Sequence, residues 1–145
     1  MKRTLPLVAL LGLFLALPLD PQTRDAPAEN LGRTLRDASR ALQAGNAALF
    51  LSHFDKKQFP GYARLESHVV ALTRQADVAS SIEIISSEAD DKAQRVTVDW
   101  LLQLTPSGGF GPAIRRREEI TIRFDPAGAR PKIVSLAPVD FFRPL

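Results

Sequence analysis

Between residues 95 and 104, apolar and polar residues alternate along the chain. The apolar set is Val96, Val98, Trp100, Leu102 and Leu104. A period of two is typical of a β-strand with one buried face, because successive side chains of a strand point to opposite sides of its sheet. Trp100 stands mid-strand, where its large ring can anchor a core and its indole N–H needs an acceptor. The sequence therefore predicts a long strand at the centre of a sheet.

Three more strands are predicted around this one. They cover residues 78–88, 114–124 and 132–137, and they carry apolar alternation or β-branched runs. The intervening stretches, 90–92, 105–112 and 125–128, are short and rich in Gly, Pro and Asp, which favour turns. Strands joined by such short connections pair antiparallel with their neighbours. The second half of the chain is therefore predicted to be a four-stranded antiparallel meander.

The first half of the chain shows helical periodicity. Helices are predicted at about residues 28–44, 46–54 and 62–75. Leu31, Leu35 and Leu42 form an apolar stripe on the first helix, Gly45 is suited to end it, and Asn46 can cap the second. Helices followed by an antiparallel sheet define an α+β fold class.

The N-terminus has the features of a secretory signal peptide. Lys2 and Arg3 precede an apolar run over residues 5–19, which is too short to span a membrane comfortably. We expect a signal peptide at 1–19, a linker at 20–27 and a single domain at 28–145, exported to the periplasm or secreted, with no stable membrane span after signal removal. Residues 26–28 have the small-x-small form of a cleavage site but lie rather far from the apolar run, cleavage near residues 16–19 is the other option, and an uncleaved anchor is the alternative.

Several classes of chemistry are disfavoured by residue types. The chain has no cysteine and only two histidines, His53 and His68, neither in a spaced carboxylate motif, so no metal site is predicted. No glycine-rich phosphate loop or nucleophile motif occurs, and we predict no cofactor. The net charge of +3 is mild, and residues 115–117, three consecutive arginines, would alternate between two faces of a strand. Nucleic acid is therefore not an expected partner.

Three segments together resemble the nuclear transport factor 2-like superfamily, which includes the ketosteroid isomerases and polyketide cyclases. They are residues 42–55 (LQAGNAALFLSHFD), the Trp100 strand, and residues 132–136 (KIVSL). The resemblance implies a curved sheet wrapped round the helices to form a cone with an apolar pocket. Two departures accompany it: residues 55–61 leave little room for the short strand pair usual in the superfamily, and no catalytic set of the isomerases aligns with this sequence.

A strand register follows from the turn at 105–112. If Leu104 pairs with Ile114, then Leu102 faces Arg116 and Trp100 faces Glu118 on the apolar side of the sheet. The candidate ligand-binding residues are Trp100, Leu102, Arg116, Glu118, Tyr62 and His53. Arg116 and Glu118 could form a charged pair at the pocket mouth, whereas in a twisted or bulged strand both side chains would reach water.

Two functional hypotheses follow. The first is an exported, non-enzymatic domain that binds a small apolar ligand or a protein partner through the cone. The second is a cofactor-free isomerase or hydro-lyase in which a pocket carboxylate such as Glu118 acts as general base. No catalytic residue is assigned. The outer sheet face, rich in charged residues, is a candidate surface for a homodimer.

Overall fold

The computed structural model describes residues 22–89, 93–125 and 130–145 of the chain. The helices are α1 (Gln22–Gln43), α2 (Ala47–Leu51) and α3 (Tyr62–Gln75). The strands are β1 (Ala76–Ala89), β2 (Gln94–Pro106), β3 (Ile114–Asp125) and β4 (Lys132–Ala137), and a 3-10 turn follows at Val139–Phe142. Helix α1 begins at Gln22, so the part of the predicted linker from residue 22 onward is helical. The predicted signal peptide, 1–19, lies outside the described residues.

The four strands form one antiparallel sheet in the order β1-β2-β3-β4. The predicted register is confirmed: Leu104 pairs with Ile114, Leu102 with Arg116, and Trp100 with Glu118. One irregularity between Ile84 and Ser86 shifts the pairing of β1 with β2. A shift of this kind bends a strand, which helps a sheet to curve round a helical layer. The α+β fold class and the meander are both as predicted.

The junction between α1 and α2 forms as the sequence predicts. Gly45 has a φ of +67°, and the N–H groups of Gly45 and Asn46 donate to carbonyls in the last turn of α1. This hydrogen-bond pattern satisfies carbonyls that the end of a helix leaves open, and it requires the left-handed conformation that glycine adopts without strain. The side chain of Asn46 accepts from the N–H of Leu49 at 3.0 Å and caps α2.

Helix α2 is shorter than predicted: it ends at Leu51, and a hydrogen-bonded turn at Ser52 and His53 follows it. Phe54 forms an isolated parallel bridge with Ile133 of β4. The N–H of Asp55 donates to the carbonyl of Ile133 at 2.9 Å, and the N–H of Ile133 donates to the carbonyl of His53 at 2.9 Å. The bridge is made by Phe54, directly before the short connection at 55–61, and the connection itself contains no strand.

The core lies between the helices and the inner face of the sheet, with Trp100 fully buried inside it. The indole Nε1 of Trp100 donates to the hydroxyl of Ser80 on β1 at 2.9 Å. Ser39 of α1 donates to the same hydroxyl at 2.7 Å. This small network supplies the acceptor that the indole needs, and it links α1, β1 and β2 at one point.

Candidate functional site

The interior of the cone is filled by side chains of the protein. Trp100 and Leu102, predicted to line a pocket, are both fully buried. The ring of Trp100 lies 5.1 Å from Phe142 and 6.0 Å from Phe141, and Phe50 of α2 lies 5.4 Å from Phe142. These centroid distances are those of packed aromatic rings. Both predicted site residues are thus core residues here, and their contact with an apolar ligand stays a prediction.

The two phenylalanines belong to a C-terminal segment, residues 138–145, that follows β4. Arg116 of β3 holds this segment: its guanidinium donates to the carbonyls of Phe141 at 3.2 Å, Arg143 at 2.5 Å and Pro144 at 3.2 Å. Burial lowers the pKa of Arg116, and the charge of Arg143 adds to this effect while that of Glu118 opposes it. Arg116 is half-buried as an anchor of the chain terminus, a role that the sequence reasoning missed.

The expected charged pair between Arg116 and Glu118 does not form, since the Arg116 guanidinium binds carbonyls of the C-terminal segment instead. Glu118 is exposed although its partner in the register, Trp100, is buried. Ile114, on the same face near the start of β3, is 40% exposed, whereas Ile120 is fully buried, so burial of this face decreases toward the start of β3. Glu118 therefore reaches water, which was the alternative outcome for this side chain.

Helix α3 holds the C-terminal segment from the other side. The Asp140 carboxylate lies 2.5 Å from Nη2 of Arg64 and 3.3 Å from Nε2 of His68. The N–H of Leu145 donates to Oε1 of Gln75 at 2.8 Å. These contacts, with those of Arg116, fix the segment along its whole length.

Tyr62 lies apart from both Arg116 and the aromatic core. It is half-buried at the start of α3 and lines a shallow pocket of about 470 Å³ together with Leu51, Phe54 and Glu66. Burial raises the pKa of Tyr62, and the charge of Glu66 acts in the same direction. Tyr62, His53 and Glu118 therefore do not meet at one enclosed cavity.

A more enclosed cavity of about 470 Å³ lies between α1 and the start of β4, and we call it the α1–β4 cleft. Its walls come from one face of α1, from the chain just after α2, and from the approach to β4. The lining residues are Asn30, Arg33, Thr34, Asp37, Ser52, His53, Arg130, Pro131 and Lys132. The lining is polar, with three cationic side chains and one carboxylate. Such a composition suits a polar or charged ligand better than an apolar one.

His53 is half-buried in the wall of this cleft. Burial lowers the pKa of His53; the carboxylate of Asp37 opposes this shift, and the charges of Lys132 and Arg130 reinforce it. The imidazole is therefore neutral near pH 7, because its usual pKa already lies below that value. Its Nε2 atom is buried and has no hydrogen-bond partner among the described residues. An unpaired buried nitrogen is unusual and indicates a partner such as water or a ligand.

The sequence reasoning found only His53 among the lining residues of the cleft. Arg33 and Asp37 stand four positions apart on α1, a spacing that places both on one helix face. Lys132 begins β4, and its ammonium donates to the carbonyl of Ser52. The helical spacing of Arg33 and Asp37 could be read from the sequence, whereas the approach of Arg130 and Lys132 to α1 depends on tertiary contacts such as the bridge from Phe54 to Ile133.

The outer face of the sheet carries charges that pair across strands. The guanidinium of Arg117 binds the carboxylate of Asp99 in a bidentate manner, with Nε at 3.1 and 3.0 Å and Nη2 at 2.5 Å from its oxygens. This contact lowers the pKa of Asp99, chiefly through the hydrogen bonds, and raises that of Arg117. The outer face is charged, as predicted, and the Asp99–Arg117 pair is a diagonal contact, because the register places Asp99 opposite Glu119.

Two further properties concern the described residues alone. Within 22–89, 93–125 and 130–145, no group of three or more His, Asp or Glu side chains could hold a metal ion. No helix in these ranges has both the length and the apolar character needed to cross a membrane.

Comparison with known proteins supports the fold through similarity of structure and not of sequence. No protein-family model matches the sequence, and no curated protein matches it either. Among solved structures, a conserved protein from Planctomyces limnophilus superposes with a TM-score of 0.69 at 10% identity, covering 78% of this chain and 94% of that one. A nuclear transport factor 2-like superfamily protein from Salmonella enterica gives a TM-score of 0.64 at 7% identity, covering 78% and 89%. A proposed scytalone dehydratase from Novosphingobium aromaticivorans gives 0.66 at 10% identity, covering 80% and 85%.

These neighbours define the architecture of the chain: it has the nuclear transport factor 2-like fold. Proteins with this fold include proposed dehydratases and proteins of unknown function, so the fold is compatible with ligand binding. Identities near 10% carry no residue roles from one protein to another, and function must be argued from the site.

Proposed function

We propose that this chain is an exported binding domain that takes a small polar ligand in the α1–β4 cleft. The observation that carries the proposal is the contrast between the two candidate cavities. The interior of the cone is filled by Trp100, Phe141 and Phe142, whereas the cleft is a polar cavity of about 470 Å³. A volume of a few hundred cubic ångströms is typical of small-molecule sites.

Export is the second part of the proposal, and its support is the sequence of the N-terminus. Lys2 and Arg3 followed by the apolar run at 5–19 are the charged and apolar regions typical of a secretory signal peptide. Mass spectrometry of the protein recovered from the cell envelope or medium should find these residues missing. Recovery of the soluble cytoplasmic protein with Met1 intact would contradict export.

Ligand binding can be tested by screening a fragment library against the protein by NMR. We expect hits to shift backbone amides near His53 and Lys132, and to lose binding in Thr34→Trp, which fills the cleft from α1. The matched control is Ser81→Trp, a change of similar size on β1 at an exposed position outside the cleft lining. The single tryptophan of the wild type gives one indole signal that reports on the interior. Hits that shift that signal and still bind Thr34→Trp would place the site inside the cone, as first predicted.

A cofactor-free hydro-lyase is the second candidate, supported by the neighbours described as proposed dehydratases. The group that favours it is His53, because a neutral imidazole in a cavity can act as a base. Against it, Glu118 is exposed and Tyr62 lines a different pocket, so no acid–base set converges. We therefore rank the enzyme second.

A homodimer through the outer sheet face remains part of the proposal. This face carries the Asp99–Arg117 pair and the half-buried Leu101 beside it. Sedimentation equilibrium should give twice the protomer mass, and Leu101→Glu should halve it. A wild-type protein that sediments as a monomer at tens of micromolar would contradict the dimer.

A further inference from the structure

The charges around the α1–β4 cleft are unbalanced. Arg33, Arg130 and Lys132 line it, and Asp37 is its one carboxylate. Asp37 also faces Arg40 of the next helical turn, with an N–O distance of 3.9 Å, so part of its charge is directed away from the cavity. With His53 neutral, the lining residues carry an excess of two positive charges. A concave wall with one sign of charge concentrates counter-ions, because the field lines converge in the cavity.

The side chains that line the cleft also have more hydrogen-bond donors than acceptors of the protein occupy. The ammonium of Lys132 donates to the carbonyl of Ser52, which occupies one of its three protons. The guanidinium of Arg33 is exposed, and Arg130 stands at the opposite wall. Guanidinium groups offer paired N–H donors that match the oxygens of carboxylates and phosphates. The cleft therefore presents donors without enough acceptors.

His53 supplies an independent observation at the same place. Its Nε2 is buried without a hydrogen-bond partner among the described residues. Leaving such a nitrogen unpaired costs free energy in the unliganded protein. His53 also lines the cleft, and one nitrogen of its neutral ring carries a proton, so the side chain can supply a donor to an oxygen of a ligand bound there.

We infer that the α1–β4 cleft binds a small organic anion through a carboxylate or phosphate group, with Arg33, Arg130 and Lys132 as counter-charges and His53 as a neutral donor. This inference rests on the proposed function and specifies the chemistry of its ligand. The anionic group lies between α1 and the start of β4, and the rest of the ligand lies against Asn30 and Thr34 at the polar face of α1. Selectivity for anions follows from the excess positive charge.

The experiment titrates the full chain with three probes at constant ionic strength, followed by NMR of backbone amides. The probes are butyrate, its neutral isostere butyramide, and inorganic phosphate, with chloride as the compensating anion. We expect saturable shifts at His53 and Lys132 with butyrate or phosphate, and at least a tenfold weaker response to butyramide. The comparison of butyrate with phosphate shows which of the two anionic groups the site prefers.

Matched variants separate a site from general attraction to a basic protein. Arg33→Gln combined with Lys132→Gln should weaken anion binding at least tenfold. Arg36→Gln combined with Arg95→Gln removes the same charge at exposed positions outside the cleft and should change binding less than twofold. His53→Phe should weaken binding without changing the net charge of the protein.

Four outcomes would overturn the inference. Equal binding of butyrate and butyramide would show that the cleft is used but does not select anions, and the proposed function would stand. Equal losses of anion affinity in both double variants would show that the anions bind through non-specific attraction to a basic protein. No saturable anion response at His53 or Lys132 would exclude the anion site. If every fragment hit in the NMR screen shifted amides outside the cleft, the cleft would be excluded as the ligand site as well.

Discussion

Replacement of Trp100 by alanine tests the account of the core most directly. A buried tryptophan removes about 150–250 Å² from water. At about 25 cal/mol per Å² this area corresponds to about 4–6 kcal/mol, an upper value because unfolded chains already bury some surface. Large aromatic-to-alanine changes in cores cost about 3–5 kcal/mol. Since Trp100 is fully buried and packs on Phe141 and Phe142, we expect a loss in that range.

The assay is urea denaturation followed by far-ultraviolet circular dichroism, because Trp100 is the only tryptophan and its fluorescence disappears in the variant. Leu101→Ala is the matched control: it alters the next residue of β2, which is half-buried on the outer face, and should cost about 1 kcal/mol. Domains of this size are stable by about 5–15 kcal/mol, so Trp100→Ala leaves little margin. Trp100→Phe keeps a ring in place and should cost about 1–3 kcal/mol through lost volume and the lost hydrogen bond to Ser80, whose hydroxyl still accepts from Ser39.

A loss under about 1 kcal/mol in Trp100→Ala would refute the reasoning, because it would mean that the ring contributes no more than a surface side chain. If Trp100→Phe lost less than about 1 kcal/mol while Trp100→Ala lost the expected amount of about 3–5 kcal/mol, the volume of the ring would matter and its hydrogen bond to Ser80 would not.

Three other predictions follow from the contacts of charged and polar groups. By NMR titration, the carboxyl of Asp99 should have a pKa below the usual range, and this pKa should return toward that range in Arg117→Gln. Because the pKa of Asp99 is lower in the folded than in the unfolded protein, the pair stabilises the folded protein at pH values above the unfolded-state pKa. This stabilisation is lost as the pH falls through the folded-state pKa. An Asp99 pKa equal in both proteins would contradict the pairing. Arg116→Gln should accelerate amide hydrogen exchange over residues 139–145 while Arg115→Gln leaves it unchanged, and equal rates in both variants would mean that Arg116 does not anchor the segment. Asn46→Ala should lower the unfolding free energy by about 1 kcal/mol in urea through loss of the cap, whereas Asn46→Asp should retain most of it.

Local patterns in the sequence were enough to predict the elements and the pairing of the central hairpin. The alternation around Trp100 places one face of β2 in the core, and the pairing of Leu104 with Ile114 then assigns every other position of β3. The register is strongly specified because a slip of one residue would expose the apolar face. The junction at Gly45 and Asn46 is equally local, since its hydrogen bonds join residues a few positions apart.

The candidate site could not be predicted to the same extent, because its contacts join distant parts of the chain. A strand register states which side of the sheet a residue faces, but not what covers that side. Arg116 faces inward as predicted, and its carbonyl partners lie at least 25 residues further along the chain. Phe141 and Phe142 were visible as an apolar pair after the last strand, yet only the folded chain shows that they fill the cone.

The α1–β4 cleft is decided by tertiary structure in the same way. Arg33 and Asp37 share a helix face by spacing alone, whereas Arg130 and Lys132 reach them through tertiary contacts that include the bridge from Phe54 to Ile133. Helix and strand periodicities depend on neighbours in sequence, and a cavity depends on how well whole layers fill the space between them. The amino-acid pattern therefore determines which faces are buried, and only the packing of those faces decides where space for a ligand is left.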